Sequence, residues 1–108
     1  MINIVIQKSH NPNKKYDAVV DGGKIISFGA ASYSDYTLHK DPVRKQNYIK
    51  RHSSEDWTRN NLLSPAWLSR FILWEKPNLE EAIRNANQSI KMFILFSNAE
   101  GFILKFKY

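Results

Sequence analysis

Ile2, Ile4 and Ile6 alternate with Asn3, Val5 and Gln7, and this period of two predicts an opening β-strand. Residues 9–13 (SHNPN) carry turn chemistry and read as a loop. Residues 16–20 and 24–28 are two further strands. Asp21-Gly22-Gly23 between them supplies the positive φ that a tight hairpin requires. Residues 29–38 (GAASYSDYTL) have no regular period and are rich in tyrosine and hydroxyl groups. The pattern then becomes helical. Asp41-Pro42 is a helix start, because the aspartate caps free N–H groups and the proline sits where its missing N–H is not needed. That helix is expected from Pro42 to Arg51 or His52, with Ser53 or Ser54 capping a short turn that carries Trp57. Ser64-Pro65 repeats the signal and opens a helix over residues 66–74, with Trp67, Phe71 and Trp74 at helical spacing beside Leu68 and Ile72. Pro77 ends it. Asn78 caps a third helix over residues 79–90, with Glu80 and Glu81 in its first turn and an apolar face of Leu79, Ala82, Ile83, Ala86 and Ile90. Residues 92–96 and 102–106 read as two strands around the loop 97–101, a second hairpin.

Strands, then helices, then strands predict one α+β domain spanning residues 1–108. Its antiparallel sheet is expected from an N-terminal hairpin region and a C-terminal hairpin, with about three central helices. A chain of 108 residues is long enough for one core without covalent staples. It contains no cysteine, which excludes disulfides, thiolate metal sites and thiol nucleophiles. The residues at 1–7 are too few for a signal peptide, and no run approaches the ~20 apolar residues that span a bilayer. No membrane partner is therefore expected.

Charge adds a location. The net charge is +6, and residues 40–51 concentrate it, with Lys40, Arg44, Lys45, Lys50 and Arg51 against Asp41 alone. A solvated helix face explains such a cluster, and so does a surface for nucleic acid or an acidic protein. Tyr33, Tyr36 and Tyr48 stand beside these cations, and tyrosine serves well half-buried at interfaces. The expected partner-binding set is Tyr33, Tyr36, Lys40, Arg44, Lys45, Tyr48 and Arg51.

Asp35, His39 and Asp41 form the densest cluster of metal-ligating types, so a divalent ion such as zinc is the candidate cofactor. Each also has a structural explanation: Asp41 as a helix cap, Asp35 as a turn former and His39 as a packed ring. His52 is a more remote candidate ligand, since a straight helix holds it roughly 16 Å from Asp41 along the axis. Glu55 or Asp56 is the nearer expected partner for His52, and His10 reads as a surface loop residue. No catalytic set is legible. Gly22-Gly23 sits in a hairpin rather than between a strand and a helix, so it makes no phosphate cradle. A metal-dependent nuclease using Asp35, His39 and Lys40 is the minor enzymatic reading.

One stretch carries a family resemblance. The segments Lys15-Tyr16-Asp17-Ala18-Val19-Val20 and Ile26-Ser27-Phe28-Gly29 precede SDYTLHKDPVRKQNYIKRH at residues 34–52. Trp57, Trp67-Leu68-Ser69-Arg70 and Leu73-Trp74-Glu75-Lys76-Pro77 continue it. This pattern, from about Lys14 to Ile83, resembles a family of small uncharacterised proteins of bacteriophages and large DNA viruses. The family brings no activity to carry over. The resemblance implies a viral setting, with the host cytoplasm as the place of action. The leading expectation is an accessory protein that inhibits a host defence or nucleic-acid-processing enzyme, as an anti-CRISPR protein does. Direct nucleic-acid binding and a structural role in the virion are the alternatives.

Overall fold

The computed structural model describes residues 2–21, 23–58, 61–97 and 102–106. The chain runs β1 (Ile2–Lys8), β2 (Lys14–Val20), β3 (Ile25–Ala30), a one-turn helix α1 (Tyr36–His39), α2 (Pro42–Arg51), α3 (Pro65–Leu68), α4 (Leu79–Ser97) and β4 (Phe102–Phe106). A π-helical turn, Ser69–Leu73, continues α3. The strands form one sheet in the order β3-β2-β1-β4. The class is therefore α+β, with strands from both ends of the chain and three substantial helical segments: α2, α3 with its π-turn, and α4.

The N-terminal half follows its sequence signals. β2 and β3 pair antiparallel, with Tyr16 opposite Phe28 and Ala18 opposite Ile26. Gly23 closes their hairpin at φ +102°, the left-handed region that glycine enters without cost. β1 pairs antiparallel with β2, Ile4 facing Val20 and Ile6 facing Ala18. Ile4, Ile6, Ala18 and Phe28 are fully buried on the face covered by the helices. Burying each large side chain there contributes roughly 1.5–3 kcal/mol.

The C-terminal part corrects the expected hairpin. Residues 92–96 are not a strand: α4 continues through them to Ser97. Nothing between Ile90 and Ser97 breaks a helix, and adding residues to a formed helix is favourable. The expected loop at 97–101 lies, beyond Ser97, outside the described residues. β4 pairs with β1, and it does so in parallel, Leu104 beside Ile4. The sheet is therefore mixed rather than wholly antiparallel.

The π-turn changes which face of the tryptophan helix is buried. In an unbroken α-helix Trp67, Phe71 and Trp74 share one face. With the wider turn at Ser69–Leu73, the buried residues are Trp67, Leu68, Ile72 and Leu73, and Phe71 and Trp74 are only partly covered. Trp74 is thereby available to other partners. Leu73 packs so closely on β3 that a Cβ built at Gly29 would lie 2.7 Å from its Cδ1. Gly29 has φ +78°, so this position requires glycine on both counts.

Candidate functional site

α2 is mostly exposed, and Tyr48 is its single buried residue. Its start is the one its sequence predicts. The Asp41 carboxylate accepts hydrogen bonds from the N–H groups of Val43 (2.9 Å) and Arg44 (3.4 Å), and Pro42 follows. Three devices fasten it to the body. The Tyr48 ring stacks on Trp74, centroids 4.2 Å apart and planes 5° from parallel, and on His52 at 4.4 Å. Lys45 donates to the Glu75 carbonyl at 2.9 Å and also lies over the Tyr36 ring. Lys40, in a left-handed conformation at φ 57°, donates to the Pro77 carbonyl.

Beneath α2 lies an open cleft of about 920 Å³, lined on its other sides by the start of β2, the end of β3 and the α3–π segment. Arg44, Asn47 and Arg51 face it from α2, and Lys14 faces it from β2. The acids that reach the cleft are already engaged. Asp35, 2% exposed, pairs with Lys15 and caps α1 by accepting from Thr37 N at 2.8 Å and from the Thr37 hydroxyl. Glu55 pairs with His52 at 2.8 Å and accepts from the Trp57 indole at 3.2 Å. Among the described residues, Lys14, Arg44 and Arg51 have no carboxylate partner. The cleft is therefore electropositive in its own right.

The expected partner-binding residues fall into two groups. Arg44, Arg51 and Tyr33 are exposed, Tyr33 at 73%. Lys40 and Lys45 are tied to backbone carbonyls, Tyr36 is half-buried, and Tyr48 is 7% exposed. Burial, and then the nearby Glu55 carboxylate, push the Tyr48 hydroxyl up to about 12. Two aliphatic side chains that sequence reasoning passed over, Leu38 and Val43, are 64% and 66% exposed on α1 and α2. Lys14 and Asn47 were also missed. Their only signal was position: a cation at a strand start, and an amide between two arginines on one helical face.

The expected ligand set for a metal does not converge. The Asp41 oxygen is used in capping, Asp35 by Lys15 and Thr37, and His52 by Glu55. The His39 Nδ1 accepts from the Asp41 N–H at 3.0 Å. Among the described residues no three histidine or acidic side chains come together. The His39 Nε2 is buried without a hydrogen-bond partner, beside the Trp74 ring at 5.3 Å. Burial, and then the Arg44 guanidinium, hold this imidazole below its ordinary value.

A second polar centre sits in the sheet. Asp17, 1% exposed, accepts from the hydroxyls of Ser9 and Ser27, both at 2.6 Å, and from the N–H and ring of His10. Burial raises its carboxyl, but these four bonds outweigh it and hold the group far below the usual carboxylate range. The Ser9 hydroxyl donates to the carboxylate rather than to the imidazole, so the three residues do not form a nucleophile–base relay. Their role is to fasten the 9–13 loop to β2.

These elements define a small α+β protein with a basic cleft under a largely exposed helix. Residues 4–52 are similar to a family of unknown function (DUF5754), a match that covers β1 through the end of α2. No curated protein and no solved structure matches the chain. No described helix is long and apolar enough to cross a membrane.

Proposed function

We propose that the protein is a phage or viral accessory protein that binds a host defence or nucleic-acid-processing enzyme and inhibits it. The viral setting rests on the resemblance of the chain around SDYTLHKDPVRKQNYIKRH. The observation that carries the binding reading is the surface of the 33–51 segment. There Tyr33, Leu38 and Val43 are exposed beside Arg44 and Arg51, which have no carboxylate partner among the described residues. Exposed aliphatic and aromatic groups among free cations suit an acidic protein surface, because such interfaces join apolar anchors to charge. Purely electrostatic attraction to nucleic acid needs the cations but not Leu38 or Val43.

The test is capture and inhibition of the target enzyme in lysate from a permissive host. Nuclease treatment of the lysate should leave capture intact, and Tyr33→Ala together with Leu38→Ser should weaken it as strongly as Arg44→Glu. Capture that vanishes on nuclease treatment, with tight binding to random DNA at physiological salt, would favour the nucleic-acid reading instead.

A further inference from the structure

The exposed residues of α1 and α2 suit attachment to a surface, and the cleft under α2 adds a concave site whose lining includes the exposed cations Lys14, Arg44 and Arg51. Arg44 and Arg51 lie seven residues apart on one helical face, about 10.5 Å along the axis. Lys14 faces them from β2, and Asn47 lies between them. One small anion does not account for charges so dispersed; a row of anions does. We propose that this cleft receives an extended acidic segment of the partner protein, with carboxylates on Arg44, Arg51 and Lys14 and the peptide backbone on the Asn47 amide. This deepens the reading above and rests on it.

Three observations favour a peptide over a nucleic-acid strand. Of the aromatic rings that line the cleft, Tyr48 and Trp74 are engaged by neighbouring rings, and Tyr33, 73% exposed, leaves one open ring where a strand of successive bases needs several. Tyr48 stacks on both Trp74 and His52, and Trp74 also meets the His39 ring at a tilt. Base stacking is a main source of affinity for single strands. The amide of Asn47 both donates and accepts, as a peptide backbone requires. Side chains of an extended peptide also repeat on one side about every 6.6 Å, so carboxylates two and four residues apart bracket the arginine spacing.

The experiment uses the intact protein and fluorescence anisotropy. The probe is a labelled peptide of alternating glutamate and alanine. Its glutamine counterpart and a labelled oligothymidylate of equal charge serve as comparators. The glutamate peptide should bind, the glutamine peptide should not, and the oligothymidylate should bind more weakly. Arg44→Glu with Arg51→Glu should cost at least about tenfold in affinity, since close charge pairs at interfaces couple by more than the 1.4 kcal/mol that a factor of ten represents. Lys50→Glu, an exposed α2 change outside the cleft, should cost much less. All three positions are exposed, and circular dichroism checks that the variants fold. Equal loss from Lys50→Glu, or tighter binding of the oligothymidylate, overturns the proposal. If the peptide fails to bind while the protein still captures its enzyme through Tyr33 and Leu38, the cleft assignment falls and the inhibitor reading stands. If capture fails as well, both fall.

Discussion

Asp17 and His39 show how single polar groups govern this fold. The Asp17 carboxylate gathers donors from the 9–10 loop and from Ser27 on β3, so it ties that loop to β2 and adds a polar link between β2 and β3. Replacing it with alanine leaves those donors facing a buried gap. Asp17→Ala should cost on the order of 3 kcal/mol, read as a lower urea midpoint, with faster amide exchange in the 9–13 loop. His39 has the opposite charge logic. Its Nδ1 must stay unprotonated to accept from the Asp41 N–H, and burial and Arg44 both disfavour the cation, while Asp41 and Asp35 favour it and Lys15 opposes it. Its folded-state value is lowered, so the unfolded chain binds the proton more readily. The stabilising contribution is complete above the ordinary histidine value of about 6.5 and is lost as pH falls below it. Urea midpoints at about pH 7.5 and pH 5.5 check this. His39→Asn, which keeps an acceptor but cannot titrate, should lower stability at the higher pH and show a smaller further drop at the lower one.

At the scale of elements, the sequence was most legible where one local signal decided the outcome. Asp21-Gly22-Gly23 predicted the β2–β3 hairpin, and Asp41-Pro42 and Ser64-Pro65 predicted the starts of α2 and α3, where they are found. Residues 92–96 were misread because a short apolar run fits a buried strand and a buried helix alike; the absence of a breaker after Ile90 was the better guide. The π-turn left no local mark. Neither did the staples from Lys40 and Lys45, because their acceptors lie 37 and 30 residues further on, at Pro77 and Glu75. Much of the cationic face was therefore legible as charge but not as available charge. Asn87 is a similar case. From α4 it places its amide on β4, accepting from the Leu104 N–H at 2.8 Å and donating to the Leu104 carbonyl at 2.9 Å. It thus does for the middle of β4 what a neighbouring strand would do. Asn87→Ala should destabilise by about 1–3 kcal/mol and raise exchange at the Leu104 amide above that of the β2–β3 hairpin.

At the scale of the whole molecule, the parallel β1–β4 pair decides how the chain closes. A C-terminal hairpin would have been a local unit, able to fray without disturbing the rest. β4 instead lies beside the first strand, separated from it by nearly the entire sequence. It delivers Leu104, 2% exposed, into the same core as Ile4, Ile6, Ile83, Ala86 and Ile90. Such contacts form only after a long loop has closed, which slows folding and makes it cooperative. Removing the last segment would therefore do more than trim an end. It would take away the buried leucine, worth about 1.5–3 kcal/mol, and the hydrogen bonds of β4 to β1 and Asn87, each worth about 1 kcal/mol net. Together these rival the roughly 5–15 kcal/mol that holds a domain of this size. The loss would also uncover β1 as a sheet edge. A chain ending at Ser97 should accordingly lose its cooperative thermal transition and elute as aggregate in size exclusion, whereas a dispensable tail would leave a monomer with a sharp melt. Adding back a synthetic peptide with the sequence of residues 98–108 should restore part of the transition if the parallel register is the one that closes the core.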